Sequence, residues 1–575
     1  MSAERPPVPP AAVDIYDTTL RDGSQQEGLS LSVDDKLRVA QQLDHLGVHY
    51  IEGGYPGANP KDEEFFRRAP DELELATSTL VAFGSTRRPG VRADTDPALR
   101  QLVEAGTGVV CIVAKAWDLH VTEALRTSLD EGIAMVADSV ELLRSAGLRV
   151  FLDAEHFFDG YRADPGFSLG VIEAAQQAGA EALVLCDTNG GALPHDVERV
   201  VAEVVSRTGA RIGVHVHNDG GCAVANSLVA VRAGATQVQG CINGYGERVG
   251  NADLSAVVPN LALKMGVRTI PVERLERLTP ASHHVAELVN ITPNPQQPYV
   301  GASAFAHKAG LHVSAIARRS DAYEHVSPDS VGNGTRFVVS ELAGRSTLSI
   351  KAAELGLNLD GVALGEVLDT LKRLEHQGYH FEAADGSLEL LMRQATGWRQ
   401  SFFDVESFRV ITEHRPGQTA GPEGGATAST GSDDRVELGP ASFESMTTEA
   451  TVKVHVAGER IVATAEGNGP VHALDAALRK AIGPRLPGLA QLHLTDYRVR
   501  VLDTAQATGA VTRVLIDSTD GERSWSTIGV SENIIEASWQ ALVDSIVYGL
   551  VHNAGPRGLP EDNAGPSGPA EDGAG

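Results

Sequence analysis

The chain is 575 residues long, more than one hydrophobic core usually supports, so roughly two to four domains are expected. Its formal net charge of −28 and sequence pI near 5.1 repel phosphate backbones and anionic lipid surfaces, which sets aside nucleic acid and membrane as partners. The four cysteines, Cys111, Cys186, Cys222 and Cys241, lie far apart with no CxxC pair and read as reduced thiols, not as a disulfide framework or zinc site.

Residues 1–12, MSAERPPVPPAA, have no apolar core of a leader and read as a disordered arm. No apolar run approaches the ~18 residues of a membrane span, so a soluble, cytoplasmic protein is expected. From Val13 to residue 266, short β-branched apolar runs alternate with longer amphipathic ones, the pattern of repeated βα units around a parallel sheet. The strand candidates are VDIYD from 13, VHYIEGG from 48, LELATST from 73, GVVCIVAK from 108, RVFLDAEHF from 149, ALVLCDTNG from 182, RIGVHVHND from 211 and QVQGCING from 237. Between the first two, SVDDKLRVAQQLDHLG predicts a helix capped by Ser32 and ended by Gly47. Eight such units predict a TIM (β/α)8 barrel over 13–275, in preference to an open doubly wound sheet. Barrel active sites lie at the carboxyl ends of the strands, so Asp22, Glu52, Glu155, Thr188, His215, His217 and the NGYGERVGN loop would share one rim.

Residues 276–400 lose the βα alternation and predict helical subdomains, with ELGLNLDGVALGEVLDTLKRLEHQG as one helical stretch. Residues 401–553 read as a compact α+β domain. In it, ATVKVHVAGERIVATAEGNGPVHALDAALRKAI gives two strands, a tight turn and a helix. A second βα set follows, with YRVRVLD, AVTRVLIDST and RSWSTIGVS as strands and NIIEASWQALVDSIVYGLVH as a long helix. Residues 415–435, rich in Gly, Thr, Ser and Pro, predict a flexible loop, and 554–575, with its PEDNAG and AEDGAG repeat, a disordered tail.

The segment HVHND carries the most specific chemistry. Histidines at i and i+2 on a strand share a face, and in RIGVHVH that face holds Arg211, Gly213, His215 and His217, with Ile212, Val214 and Val216 opposite. Two imidazoles with an acidic oxygen such as Asp22 form a natural set for a divalent metal, although a lone strand histidine is more often a hydrogen-bonded core residue. Each further candidate has a structural alternative. Arg21 could pair with a barrel carboxylate, Glu155 with an interior base, Thr188 could cap a turn, and Asn251 could cap the helix before ADLSAVV.

DTTLRDGSQ, HVHND and GYGERVGN, in this order, resemble the motifs of the DRE-TIM metallolyase superfamily. IEGGYPGANPKD, EHFFDGY and VSELAGRS are similar to those of the longer citramalate synthases, within the family that includes isopropylmalate and homocitrate synthases. GNGPVHALDAALR resembles the C-terminal dimeric regulatory domain of these enzymes. The resemblance implies a divalent metal, Mg²⁺ or Mn²⁺ with Zn²⁺ as the alternative, held by Asp22, His215, His217 and Asn251. It implies that Arg21 binds the keto oxygen of the substrate and Thr188 its carboxylate, that Glu155 is catalytic, and that His312 and Tyr323 act in a partner protomer's site. His307 lies close enough in sequence to be confused with His312. The implied reaction joins acetyl-CoA to pyruvate and hydrolyses the thioester, giving citramalate for isoleucine synthesis in a homodimer that isoleucine regulates. A 2-isopropylmalate synthase using 2-oxoisovalerate under leucine control is the alternative, and a lyase resembling HMG-CoA lyase a more distant one. Asp153 stands where some shorter citramalate synthases carry tyrosine, so the choice of pyruvate rests on whole-motif similarity.

Overall fold

The computed structural model describes residues 9–308, 310–316, 318–339, 344–414, 446–502 and 510–553; residues 1–8 of the expected 1–12 arm, the 415–435 loop and the 554–575 tail lie outside them, while the end of that arm is ordered, with Ala12 bridged in parallel to Arg268. Strands β1 (Asp14–Asp17), β2 (Tyr50–Gly54), β3 (Thr79–Ser85), β4 (Val109–Lys115), β5 (Arg149–Glu155), β6 (Ala182–Asp187), β7 (Ile212–Val216) and β8 (Gln237–Gly240) form a closed parallel barrel in chain order. β1 pairs with both β2 and β8, which closes the sheet. Tyr16, Tyr50, Phe83, Cys111 and Phe151 help fill its interior, while a larger apolar layer packs the outer strand faces against the helices. Helix Val33–Leu46 starts at Ser32 with a capping box completed by Asp35, and ends at Gly47, whose φ of 96° suits glycine.

The third strand differs from the sequence expectation. It runs over TLVAFGS, not LELATST. The alternation in LELATST mimics a half-buried strand, but the amides of Ala76, Thr77 and Ser78 donate to the Asp44 carboxylate at 3.0, 2.8 and 2.7 Å, which makes this segment a loop. A barrel strand is covered on both faces and reads as a near-continuous apolar run, as TLVAF does.

Contacts divide the chain into two units, Met1–Ala306 with Arg319–Arg336, and His307–Arg318 with Phe337–Gly575. The first unit continues past the barrel strands, with helix Leu278–Leu288 packed on helix Val33–Leu46. In the second unit, helices Arg345–Glu354, Gly361–His376 and Asp385–Ala395 share a core around Leu348, Leu371 and Met392. It also contains two three-stranded antiparallel sheets, each followed by a helix. Strands Asp404–His414, Met446–Val456 and Glu459–Gly467 precede helix Pro470–Ile482, and strands His493–Val501, Thr512–Thr519 and Ser524–Ser531 precede helix Ile534–Asn553. Their apolar faces merge in one core. Strand Asp404–His414 was missed in the sequence. Helix Ile534–Asn553 is long and apolar enough to cross a membrane, but 56% of its apolar window is buried, and it packs on the second sheet as a core helix.

Behind β2, an ion pair secures the rim. The Lys36 ammonium donates to the Gly53 carbonyl at 2.9 Å and pairs with the Asp62 carboxylate, and both side chains are almost fully buried. Asp62 also accepts from the Tyr55 amide at 2.9 Å and Asn59 Nδ2 at 3.1 Å, so it closes the turn that follows Glu52. A Cβ at Gly53 would stand 2.5 Å from the Phe65 ring, so only glycine permits this approach. Removing one partner of a buried pair leaves an uncompensated charge, so Asp62→Ala should cost about 3–5 kcal/mol. Denaturant unfolding should show the double variant K36M/D62A recovering more than half of that loss. A double variant as unstable as D62A would show that the charge is not what Asp62 stabilises.

Candidate functional site

Barrel register carries residues distant in sequence to one rim. Asp22 lies in the loop after β1, Glu52 on β2, Lys115 and Glu155 at the ends of β4 and β5, Thr188 just past β6, His215 on β7 and His217 just beyond it. Asn251 lies in the loop after β8, where its backbone bridges to that of His217. Asp22 Oδ2 is 3.1 Å from His215 Nε2 and 3.7 Å from His217 Nε2, and the two Nε2 atoms are 3.3 Å apart. All three side chains are buried. Burial pushes the Asp22 carboxyl up, but the adjacent Arg21 guanidinium and the hydrogen bond to His215 outweigh it and hold the group well below the usual carboxylate range.

Three donor atoms converging on one buried point fit a divalent cation. Asn251 fits the same set. Its Nδ2 donates to the Tyr245 carbonyl at 3.0 Å, which fixes the amide, and its buried Oδ1 has no hydrogen-bond partner among the described residues. It does not cap the following helix, as the sequence allowed. Asp253 does so, accepting from the Ser255 amide. The glycines of NGYGERVGN make the loop possible: a Cβ at Gly250, φ 90°, would lie 1.9 Å from the Gly244 carbonyl oxygen. Arg248 then ties this loop to the HVHND segment through Asp219, at 2.7 and 2.9 Å, and donates to the Thr188 carbonyl at 2.8 Å.

Arg21 is held on three sides. Its Nε donates to Glu52 Oε2 at 2.5 Å, its Nη1 lies 3.5 Å from Asp22 Oδ2, and its guanidinium carbon stacks 4.0 Å from the Phe83 ring centre. Pairing with a barrel carboxylate, the structural alternative, is therefore present, together with an Nη1 that faces Asp22. Burial raises Glu52, and Tyr16 donates to its other oxygen at 2.6 Å. Thr188 Oγ1 accepts the His156 amide at 2.9 Å, and because an accepting hydroxyl keeps its own proton, it can still donate. His156 reaches this position with φ at 55°, a left-handed conformation that a bulky residue rarely adopts.

Glu155 forms an ion pair with Lys115 across the ends of β5 and β4, which is its structural alternative. Sequence reasoning missed Lys115, whose only signal is its place at the end of a barrel strand. His312 is half-buried in helix Gly310–Ile316 of the second unit, and Tyr323 is 44% exposed in the first. Cys111, Cys186 and Cys241 are buried free thiols, which burial pushes up, away from thiolate chemistry.

Residues 12–280 match the HMGL-like family, 299–379 the homocitrate synthase post-HMGL domain-like family and 433–550 the LeuA allosteric (dimerisation) domain. An (R)-citramalate synthase of Streptomyces coelicolor is 52% identical over 540 residues, covering 93% of this chain and 96% of its own length. That of Synechocystis is 51% identical over 547 residues, covering 93% and 96%, and that of Sulfolobus acidocaldarius 42% identical over 542 residues, covering 94% and 97%. With a likeness that runs from the barrel through the C-terminal module, the chain belongs to the (R)-citramalate synthase family of HMGL-like barrel enzymes.

Proposed function

We propose that this chain is an acyltransferase that condenses acetyl-CoA with pyruvate and hydrolyses the thioester, releasing (R)-citramalate and CoA for isoleucine synthesis in the cytoplasm. The observation that carries the reading is the convergence of Asp22, His215 and His217 beside Arg21, in a chain that is 42–52% identical over nearly its full length to several (R)-citramalate synthases. Asp22, His215, His217 and the oxygen of Asn251 would hold a divalent cation, with Mg²⁺ or Mn²⁺ preferred over Zn²⁺. When bound, such an ion polarises the keto group of a chelating 2-oxo acid.

Arg21 stabilises the negative charge that develops on the keto oxygen as carbon attacks, and its links to Glu52 and Phe83 keep it oriented throughout. Thr188 donates to the 2-oxo acid carboxylate. A base, His312 with the help of the Glu155 carboxylate, takes a proton from the acetyl methyl. The carbanion so formed bonds to the keto carbon, and water then cleaves the thioester to carboxylate and thiol. His312 and Tyr323 serve a partner protomer, so the active form is a homodimer. The match of residues 433–550 to the LeuA allosteric (dimerisation) domain supports that dimer and an amino-acid effector, isoleucine here and leucine if the substrate were 2-oxoisovalerate.

Free-thiol release from acetyl-CoA with Mn²⁺ and a panel of 2-oxo acids should favour pyruvate and stop on addition of EDTA. Preference for 2-oxoisovalerate would instead make the chain a 2-isopropylmalate synthase, and silence with every acceptor would point to a lyase. Arg21→Lys keeps the charge but loses the planar fork that serves Glu52 and the reacting oxygen together. Its kcat should fall ~10²–10³-fold with the KM for pyruvate little changed. A rise in KM alone would mean that Arg21 binds the ground state and does not stabilise the transition state.

A further inference from the structure

Gln239 is fully buried on β8, directly across from His215 in the strand register. A buried amide has to satisfy both ends, and here each end has one partner of decided character. Its Nε2 donates to Asp153 Oδ1 at 2.9 Å, and its Oε1 lies 3.0 Å from His215 Nδ1. The Cys111 thiol also donates to Asp153 Oδ1, at 3.2 Å, so that oxygen is an acceptor and the NH2 end of Gln239 must face it. Oε1 then faces His215. A carbonyl oxygen only accepts, so Nδ1 carries the hydrogen. A metal-binding imidazole bears one N–H, and with that hydrogen on Nδ1 it is Nε2, 3.1 Å from Asp22 Oδ2, that would turn its lone pair to an ion held between the two.

The second imidazole is not supported in this way, since His217 Nδ1 is buried without a hydrogen-bond partner among the described residues. The support is therefore specific to His215, and it spans the barrel interior from β5 through β8 to β7. We propose that Gln239, oriented by Asp153, is a positioning residue that commits His215 Nε2 to a divalent cation, an inference that rests on the metal-site reading above. This gives Asp153, which no step of the proposed reaction uses, a part in setting which way Gln239 faces. Partners that orient a metal-binding histidine are commonly as consequential as the ligands.

The test is Mn²⁺ titration of the full-length, metal-depleted protein by calorimetry, with the visible spectrum of bound Co²⁺ as a second readout. Gln239→Leu fills a similar volume and should weaken Mn²⁺ binding ~10–100-fold and alter the Co²⁺ spectrum, while the metal-free chain still unfolds in one cooperative transition, at a lower temperature because His215 Nδ1 loses its partner. The double variant D153N/Q239E exchanges donor and acceptor: the new amide donates to the new carboxylate, which accepts from His215 Nδ1. Its Mn²⁺ affinity should return to within ~3-fold of the parent, because carboxylate to histidine to metal is a common arrangement. Equal affinity in the parent and Q239L, or a double variant as weak as Q239L, would overturn the positioning role. A parent chain that binds neither Mn²⁺ nor Co²⁺ would instead overturn the metal-site reading, and this inference with it.

Discussion

The carboxylate of Asp22 is ionised, buried and surrounded by an arginine and two histidines, and the upper half of the barrel is organised around keeping it so. A buried carboxylate without partners is too costly to persist in its charged form. Its partners are themselves committed elsewhere. Tyr16 binds Glu52, Glu52 binds Arg21, Arg21 faces Asp22, Asp22 binds His215, His215 meets Gln239, and Gln239 reaches Asp153 and through it Cys111. The result is one continuous polar chain through the barrel interior. Such chains are cooperative in both directions, since each member orients the next and the loss of one leaves its neighbours unsatisfied.

The loops around this chain are built from the same economy of space. The GERVGN loop can bend back only because glycine stands where a Cβ would strike the Gly244 carbonyl. Arg248 then joins that loop to Asp219 of the HVHND segment and to the Thr188 carbonyl. Two motifs far apart in sequence are thus fastened to each other by one guanidinium, which gives the final aspartate of HVHND a structural reason distinct from that of its histidines. The Lys36 and Asp62 pair serves the opposite side of the rim by closing the turn that follows Glu52.

Much of this was legible in the sequence, because barrel strands and amphipathic helices differ in period. The face shared by His215 and His217 followed from alternation alone, and the RDG and HVHND strings pointed to one rim once eight βα units had been counted. The errors arose where local pattern and tertiary role part. LELATST alternates like a half-buried strand, yet Asp44 holds its amides in a loop, and the real strand shows no alternation because both of its faces are covered. DVESFRVITEH hides a strand because charged residues on its exposed face interrupt the apolar signal. Lys115 and Gln239 carry no motif at all. Their roles depend on what lies across the barrel, which a linear string does not display.

Charge balance extends the argument from the residues to what they are arranged to receive. Glu52, Asp22 and Asp153 lie together in the interior, with Arg21 as the guanidinium among them. Burial pushes Glu52 and Asp153 up towards their neutral forms, while Arg21 and His215 keep Asp22 ionised. A divalent cation at the proposed site would bring these three carboxylates and one guanidinium to formal neutrality. Its field would favour the ionised form of each carboxyl, strengthening the acceptors to which Arg21 and Gln239 donate. On that reading the interior acids and the convergent imidazoles are parts of a single electrostatic design: the acids would lower the cost of bringing a dication into the barrel, and the dication would keep the acids in the state that orients Arg21 and His215.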